Sequence, residues 1–490
     1  MKGKALPLHR WLPWMLLALI ALPATAQQAD TTADPVLQAV QRDAPRLDAM
    51  AHALWAQPEL GYLEVESSRR LQDELRQAGF DVQAGVAGMP TAFVARAGRR
   101  GNGPVIALLA EMDALPGMSQ AAVPVRQPIP GQDAGQACGH NLFGPAAVVA
   151  ARAIKAWLDA SGRDGEIRVY GTPAEEGGSG KVFMVKAGLF DDVDVALHWH
   201  PASVNSARQD GSLANISGKF RFHGVAAHAA LAPDRGRSAL DGVEALDFMA
   251  NLMREHVPDG TRIHYVITDG GSAPNVVPET AEVYYYVRHA DPAVVRDVFA
   301  RLRKAADGAA AGTGTTVEFE PTGGVYSLLP NDALGQVVDA ALRRVGGVPY
   351  DAPDIEFASR LQESLDQRPP LAGAQQVQAY GIDGPGFAST DVGDVSWTVP
   401  TAGLSTATWV PGTPAHSWQA VAASGHAIGN KGALNAASVL ALSAIALYEA
   451  PDTIVQAKEE FDRRRGTDFR YAPLLERDAP PLDYRKEPVR

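Results

Sequence analysis

The sequence predicts an α/β fold: a domain built on a mostly parallel sheet, interrupted by a smaller α+β insert with ferredoxin-like strand and helix order. Three observations carry this. Short apolar runs alternate with helical patterns over the first 200 residues, the signature of βαβ units. From about Ile216 the character changes to alternating strands flanking two helices. Helical patterns of the first kind then return after Asn331.

Taken in order, residues 1–26 are an address. Lys2, Lys4 and Arg10 precede a 12-residue apolar run, Trp11 to Leu22, and Ala24-Thr25-Ala26 supplies a small-residue cleavage site. The run is short of the roughly 20 residues that span a bilayer. Cleavage after Ala26 is expected, leaving an exported protein, periplasmic or secreted, with no membrane attachment. From Val36 to Trp55 and from Glu64 to Gln77 the apolar spacing is helical, with Leu71, Leu75 and Ala78 on one stripe and Gly79 as a stop. Pro104 to Ala110 reads as a buried strand, Leu142 to Leu158 as a helix, Glu166 to Tyr170 as a strand, Lys181 to Gly188 as a helix and Val193 to Leu197 as a further strand. In the insert, strands at Lys219–His223, Ile263–Ile267 and Val283–Val287 flank helices near Ala239–His256 and Asp291–Ala310. Helices at Leu334–Val345 and Ala436–Tyr448 complete the chain, with a polar, Pro/Gly-rich stretch from Asp351 to Asp394 read as loop and short helix. The expected division is 27–215 and 326–450 for the sheet domain, 216–325 for the insert, and a charged tail at 451–490 that wraps the surface or frays.

Composition narrows the function. The 490 residues are 46% hydrophobic and 20% charged, with 47 glycines and 35 prolines, which is ordinary for globular chains and excludes collagen, low-complexity disorder and coiled coil. A net charge of −12 argues against nucleic-acid binding and offers no attraction to an anionic membrane. Cys138 is the single cysteine, so no intrachain disulfide exists. In an oxidising compartment an exposed thiol is vulnerable, and metal ligation would protect it.

The polar clusters each follow a strand, where open α/β sheets build their sites. Cys138-Gly139-His140-Asn141 offers a thiolate and an imidazole two positions apart, as a metal corner requires, although a buried structural cysteine would give the same string. Glu175-Glu176 sits on a turn, where adjacent carboxylates point apart, one to bind a metal and the other to move a proton; a solvated acidic turn is the plain alternative. His198 and His200 face the same way on a strand, so both or only one can look into a cavity. His416 lies in a turn far downstream. Together these residues suffice for a bridged pair of divalent metals.

These segments, with Leu108–Leu115 (LLAEMDAL), Cys138–Leu142 (CGHNL), Pro173–Lys181 (PAEEGGSGK), Ala226–Ala230 (AAHAA), Pro274–Val277 (PNVV) and Ser389–Trp397 (STDVGDVSW), resemble the di-metal peptidases. That family includes aminoacylases, glutamate carboxypeptidases, auxin-conjugate amidohydrolases and the p-aminobenzoyl-glutamate hydrolases. The resemblance implies a catalytic domain interrupted by a lid that also dimerises. By motif position it implies Cys138 bridging two metals, zinc or manganese, with His140, Glu176, His200 and His416 completing the ligands. His200 is preferred because the Trp-His-Pro pattern matches Trp199-His200-Pro201; His198 is the alternative. Glu175 would be the general base and Asp113 a supporting aspartate. His228 would reach an oxyanion from the partner subunit, and Asn275 and Arg288 would engage a substrate carboxylate. The expected activity is hydrolysis of N-acyl amino acids, favouring an aromatic acyl-glutamate or acyl-aspartate, by a homodimer or a heterodimer with a homologous subunit. A dipeptidase or aminopeptidase of the same family is the second reading, and a periplasmic binding protein without turnover is the third.

Overall fold

The structure, a computed structural model, describes residues 34–486, so the leader and cleavage site expected from the sequence lie outside the described residues. The chain opens with α1 (Pro35–Arg42), α2 (Ala44–Ala56) and α3 (Val65–Gln77). The single helix expected from Val36 to Trp55 is broken at Asp43, because Pro45 in the next turn has no N–H to continue the ladder. There follow β1 (Asp81–Ala84), β2 (Phe93–Arg99), β3 (Val105–Glu111), α4 (His140–Ser161), β4 (Gly165–Thr172), α5 (Gly180–Lys186) and β5 (Val195–Ala202). The insert contains β6 (Ala214–His223), α6 (Ala239–Met253), β7 (Arg262–Asp269), β8 (Thr280–His289), α7 (Pro292–Thr313) and β9 (Thr316–Val325). The remainder forms α8 (Asp332–Val345), α9 (Ala352–Gln362), α10 (Val392–Ser396), β10 (Thr401–Ala407), α11 (Trp418–Ser424), α12 (Ala427–Glu449) and α13 (Pro451–Arg465).

The first sheet has the order β1-β2-β4-β3-β5-β10. The contacts β4/β3, β3/β5 and β5/β10 are parallel, and β1 and β2 add an antiparallel edge. Strand β3 is buried at every position, as an apolar run between two helical layers must be. Three sheet elements differ from the sequence pattern. Strands β1 and β2 are short or carry Arg and Gly, and β10 (TAGLSTA) is built of small and polar residues; each is held as a strand by its neighbour rather than by its own propensity.

The insert forms a separate antiparallel sheet of order β7-β8-β6-β9 with α6 and α7 packed on it, giving the βαββαβ order of a ferredoxin-like unit. It has its own core, including Phe220, Phe222, Tyr285, Val298 and Leu302.

Two further differences concern the C-terminal part. Helix α12 begins nine positions before the apolar stripe at Ala436, its first turns disguised in sequence by Gly429 and Gly432. By length and apolar composition it would cross a bilayer, but 78% of its most apolar window is buried: it is a core helix against α4 and the sheet. The charged tail does not fray at Pro451. It continues as α13, and Leu474 and Leu475 beyond it are buried in the two cores.

Candidate metal centre

Parallel strands deliver loops to one edge of the sheet. Strand β3 ends at Glu111 and leads to Asp113; β4 leads to Glu175 and Glu176; β5 carries His198 and His200; and β10 leads to the loop with His416. Cys138 arrives at the start of α4 through Gly139, which has φ +79° and approaches Pro201 so closely that a Cβ would lie 2.9 Å from the proline ring. Only glycine meets both demands, which accounts for the Cys-Gly-His spacing. His416 has φ 55°, and its N–H donates to Ala137 O at 3.0 Å, tying the last loop to the cysteine corner.

The donor atoms of Cys138, His140 and His200 all lie within 4.8 Å of one another, and so do those of Cys138, Glu176 and His416. The two groups share the sulfur. Cys138 Sγ is 3.4 Å from His200 Nε2, and His416 Nε2 is 3.1 Å from Glu176 Oε1. His198 takes no part in either group; its ring lies across β10, where a Cβ on Gly403 would come within 2.3 Å of its Nε2. Burial pulls its pKa down to about 4, leaving a neutral imidazole in the sheet.

Hydrogen bonds aim the rings. His200 Nδ1 is 2.8 Å from Pro201 O, so its N–H donates there and Nε2 is left facing the sulfur. His140 Nδ1 lies 3.0 Å from Asp113 O and 3.1 Å from Asp113 Oδ1. Asp113 Oδ2 accepts the Glu176 N–H at 2.9 Å, so one carboxylate orients both an imidazole and the acidic turn. Burial opposes a charge on His140, but Cys138, Glu111 and Asp113 lift its pKa well above the usual value. Burial, reinforced by Glu111 and Glu176, lifts the Glu175 carboxyl well above the usual carboxylate range. Burial pushes the Cys138 thiol up as well.

Several contributors escape sequence reading. Glu111 Oε2 lies 3.1 Å from His140 Nε2, and Glu111, His140 and Glu175 form a third close group. Behind it, Lys181 Nζ sits 2.7 Å from Glu111 Oε1 and 2.6 Å from Asp391 Oδ1, all three side chains at most 1% exposed. Glu64, fully buried, accepts the Ala174 N–H at 2.8 Å. Glu111, Lys181 and Asp391 stand within motif strings, yet Lys181 reads as an ordinary helix start and Glu111 as a strand end; only burial distinguishes them.

The lid residues stand apart from this cluster. His228 is exposed and its Nδ1 accepts the N–H groups of Ala230 and Leu231, both at 3.2 Å. Asn275 is exposed, its carbonyl taken by Ala229 N–H. Arg288 is half-buried beside the Tyr286 ring.

The donor set fits a pair of divalent cations. Among the described residues, His140 Nε2, Glu111 Oε2 and Glu176 Oε1 are buried without a hydrogen-bond partner, although each has another of these side chains or His416 within about 3 Å. Buried ligand atoms that converge without satisfying one another by hydrogen bonds are what a cation satisfies, and mixed sulfur, imidazole and carboxylate donors suit such ions.

Residues 212–313 match the M20 peptidase dimerisation domain. The chain is 38% identical over 465 residues to one of the subunits of the p-aminobenzoyl-glutamate hydrolase of Escherichia coli (strain K12), covering 89% of this chain and 96% of that one. The chain belongs to the M20 peptidase family. A further relative, the Xaa-Arg dipeptidase of Mus musculus, is 30% identical over 86% of this chain and 90% of its own length. A Bacillus subtilis dinuclear metal-binding peptidase of the M20 family shares the fold, with a TM-score of 0.55 at 19% identity, covering 84% of this chain and 99% of the other. The protein is thus a metal-dependent M20 hydrolase of amide bonds, and the ferredoxin-like insert is its M20 dimerisation unit.

Proposed function

We propose that this enzyme hydrolyses the amide bond of N-acyl amino acids, with an aromatic acyl-glutamate or acyl-aspartate such as p-aminobenzoyl-glutamate as the favoured substrate. The observation that carries it is the pair of donor groups sharing Cys138, with Glu175 beside them. The similarity to the Escherichia coli p-aminobenzoyl-glutamate hydrolase supports the substrate class.

Cys138, His140 and His200 would hold one ion and Cys138, Glu176 and His416 the other, zinc or manganese. When bound, such a pair polarises a carbonyl and acidifies water. Glu175 is the group free to move the proton. Its raised affinity for a proton suits a base that takes one from the attacking water and returns it to the departing nitrogen. Asp113 keeps His140 and the Glu176 peptide in register for that transfer. Arg288 and Asn275, on the lid, supply a cation and an amide for the substrate carboxylate, and His228 of a second copy supplies a donor for the oxyanion.

Dimerisation uses the lid edge. Strand β7 ends the sheet order and is exposed along nearly its whole length, with Tyr265, Val266 and Ile267 open beside Phe248 and Leu252 of α6. A homodimer or a pairing with a homologous subunit would cover it. The leader motif supports export to the periplasm or beyond.

The test is metal analysis of purified protein with an acyl-amino-acid panel. Protein carrying two metal equivalents that leaves p-aminobenzoyl-glutamate and the panel intact would overturn the reading. The similarity to an Xaa-Arg dipeptidase favours dipeptide hydrolysis as a second reading. A requirement for a free α-amino group on the substrate would select it.

A further inference from the structure

The acidic turn is not held by its own backbone alone, although Gly177 N–H donates to Glu175 O at 2.7 Å and Gly178 N–H to Ala174 O at 3.0 Å. Ala174 has φ 57° and Gly177 φ 93°, so a residue with a Cβ stands in the left-handed region immediately before the two glutamates. Such a conformation persists only where its surroundings over-determine it. Four side chains besides Asp113 do so. Glu64 accepts the Ala174 N–H at 2.8 Å, and Tyr62 OH donates to Gly178 O at 2.7 Å. The Glu176 carbonyl accepts from Tyr484 OH at 3.0 Å and from Arg485 Nη2 at 2.6 Å.

The last two come from 308 and 309 positions away, on the tail beyond α13. That tail follows a defined path. Tyr471 OH donates to Asp394 Oδ1 at 2.7 Å, Leu474 and Leu475 are buried, and Lys186 donates to Arg477 O. At its end Tyr484 packs edge-on against Tyr62, with ring centroids 5.7 Å apart. Gly61 makes room for the phenol: a Cβ there would lie 2.2 Å from Tyr484 OH.

We propose that Tyr484 and Arg485 are positioning residues for the hydrolytic reaction. Their two hydrogen bonds fix the Glu176 peptide from outside while Asp113 fixes it from inside. Together they keep the Glu176 carboxylate within reach of Cys138 and His416, and Glu175 beside them. The tail acts as a strap over the turn rather than as surface packing. This rests on the reading of Glu175 and Glu176 as base and ligand.

The test compares full-length wild type with the Tyr484→Phe/Arg485→Met double variant, which removes both donors while keeping bulk. The expected result is a kcat lower by about 10–100-fold with KM changed less than about threefold, since the lid contacts are untouched. In competition with a chelator, one of two zinc equivalents is released about 10–100-fold more readily. Arg485→Lys, which retains a donor, keeps most of the wild-type behaviour. A double variant with a lower Tm but kcat and metal release within about twofold of wild type would overturn the strap. If the double variant does not fold, Tyr484→Phe alone decides on the same readouts. Wild type inert toward every substrate would defeat the functional reading, and zinc release would then judge the strap on its own.

Discussion

Cys138 Sγ and His200 Nε2 stand 3.4 Å apart, although 62 positions separate them in sequence. The contact joins the start of α4 to the end of β5, and the same sulfur also reaches the group formed by Glu176 and His416. Cys138→Ala is therefore expected to lower metal content from two equivalents to fewer than one and to abolish turnover. Elemental analysis of the purified variant checks it; retention of both equivalents would exclude a shared sulfur.

The two neighbouring glutamates should respond differently. Glu175→Gln is expected to reduce kcat by about 10²–10⁴-fold with the metal retained. Glu176→Gln should release metal, since His416 Nε2 would face an amide at 3.1 Å instead of a carboxylate. Reversed metal contents would mean that the two roles are exchanged.

The histidines of β5 offer a parallel contrast. His200→Asn should lose metal. His198→Asn should keep it and cost roughly 1–3 kcal/mol of stability, because it disturbs a half-buried, neutral ring packed on β10. Urea unfolding and metal analysis of both variants separate the outcomes.

Asp394 predicts a pH dependence. Its buried carboxyl, accepting from Tyr471 OH and the Tyr326 N–H, is raised to about 7, chiefly by burial. The folded chain therefore keeps this proton where the unfolded chain has lost it. The contribution to stability is full below about pH 4 and is lost as pH rises to about 7. The stability difference between wild type and Asp394→Asn should fall over that window by up to about 1.4 kcal/mol per pH unit, measured by urea midpoints. A flat difference would refute it.

If His228 works across the lid interface, dimers mixed from Glu175→Ala and His228→Ala chains contain one site with both groups intact. Unfolding and refolding the inactive pair together should restore activity that neither shows alone. Val266→Asp on β7 should yield monomers in light scattering and abolish that rescue.

Much of this was legible in the sequence, for physical reasons. Strand β3 is an unbroken apolar run because both of its faces are covered, and the Glu-Glu string follows β4 within three residues, whereas Cys-Gly-His stands at the start of α4 after a long loop from β3. The sequence pattern does not distinguish His198 from His200, since residues two apart on a strand share a face and only packing on Gly403 separates them. Strand β10 escaped because its small polar residues become a strand only through pairing with β5. Lys181, Glu64 and Tyr484 escaped because a buried charge or a tail hydroxyl carries no periodicity. Their importance lies in partners up to hundreds of positions away.

The ring of His198 resting on Gly403 ties two positions into one heritable unit. A methyl group at 403 would drive the imidazole out of the sheet and drag the neighbouring ligand strand with it, so Gly403→Ala should be lost in a growth selection that depends on this enzyme. Second-site revertants should then cluster at 198 as smaller side chains, leaving 200 unchanged.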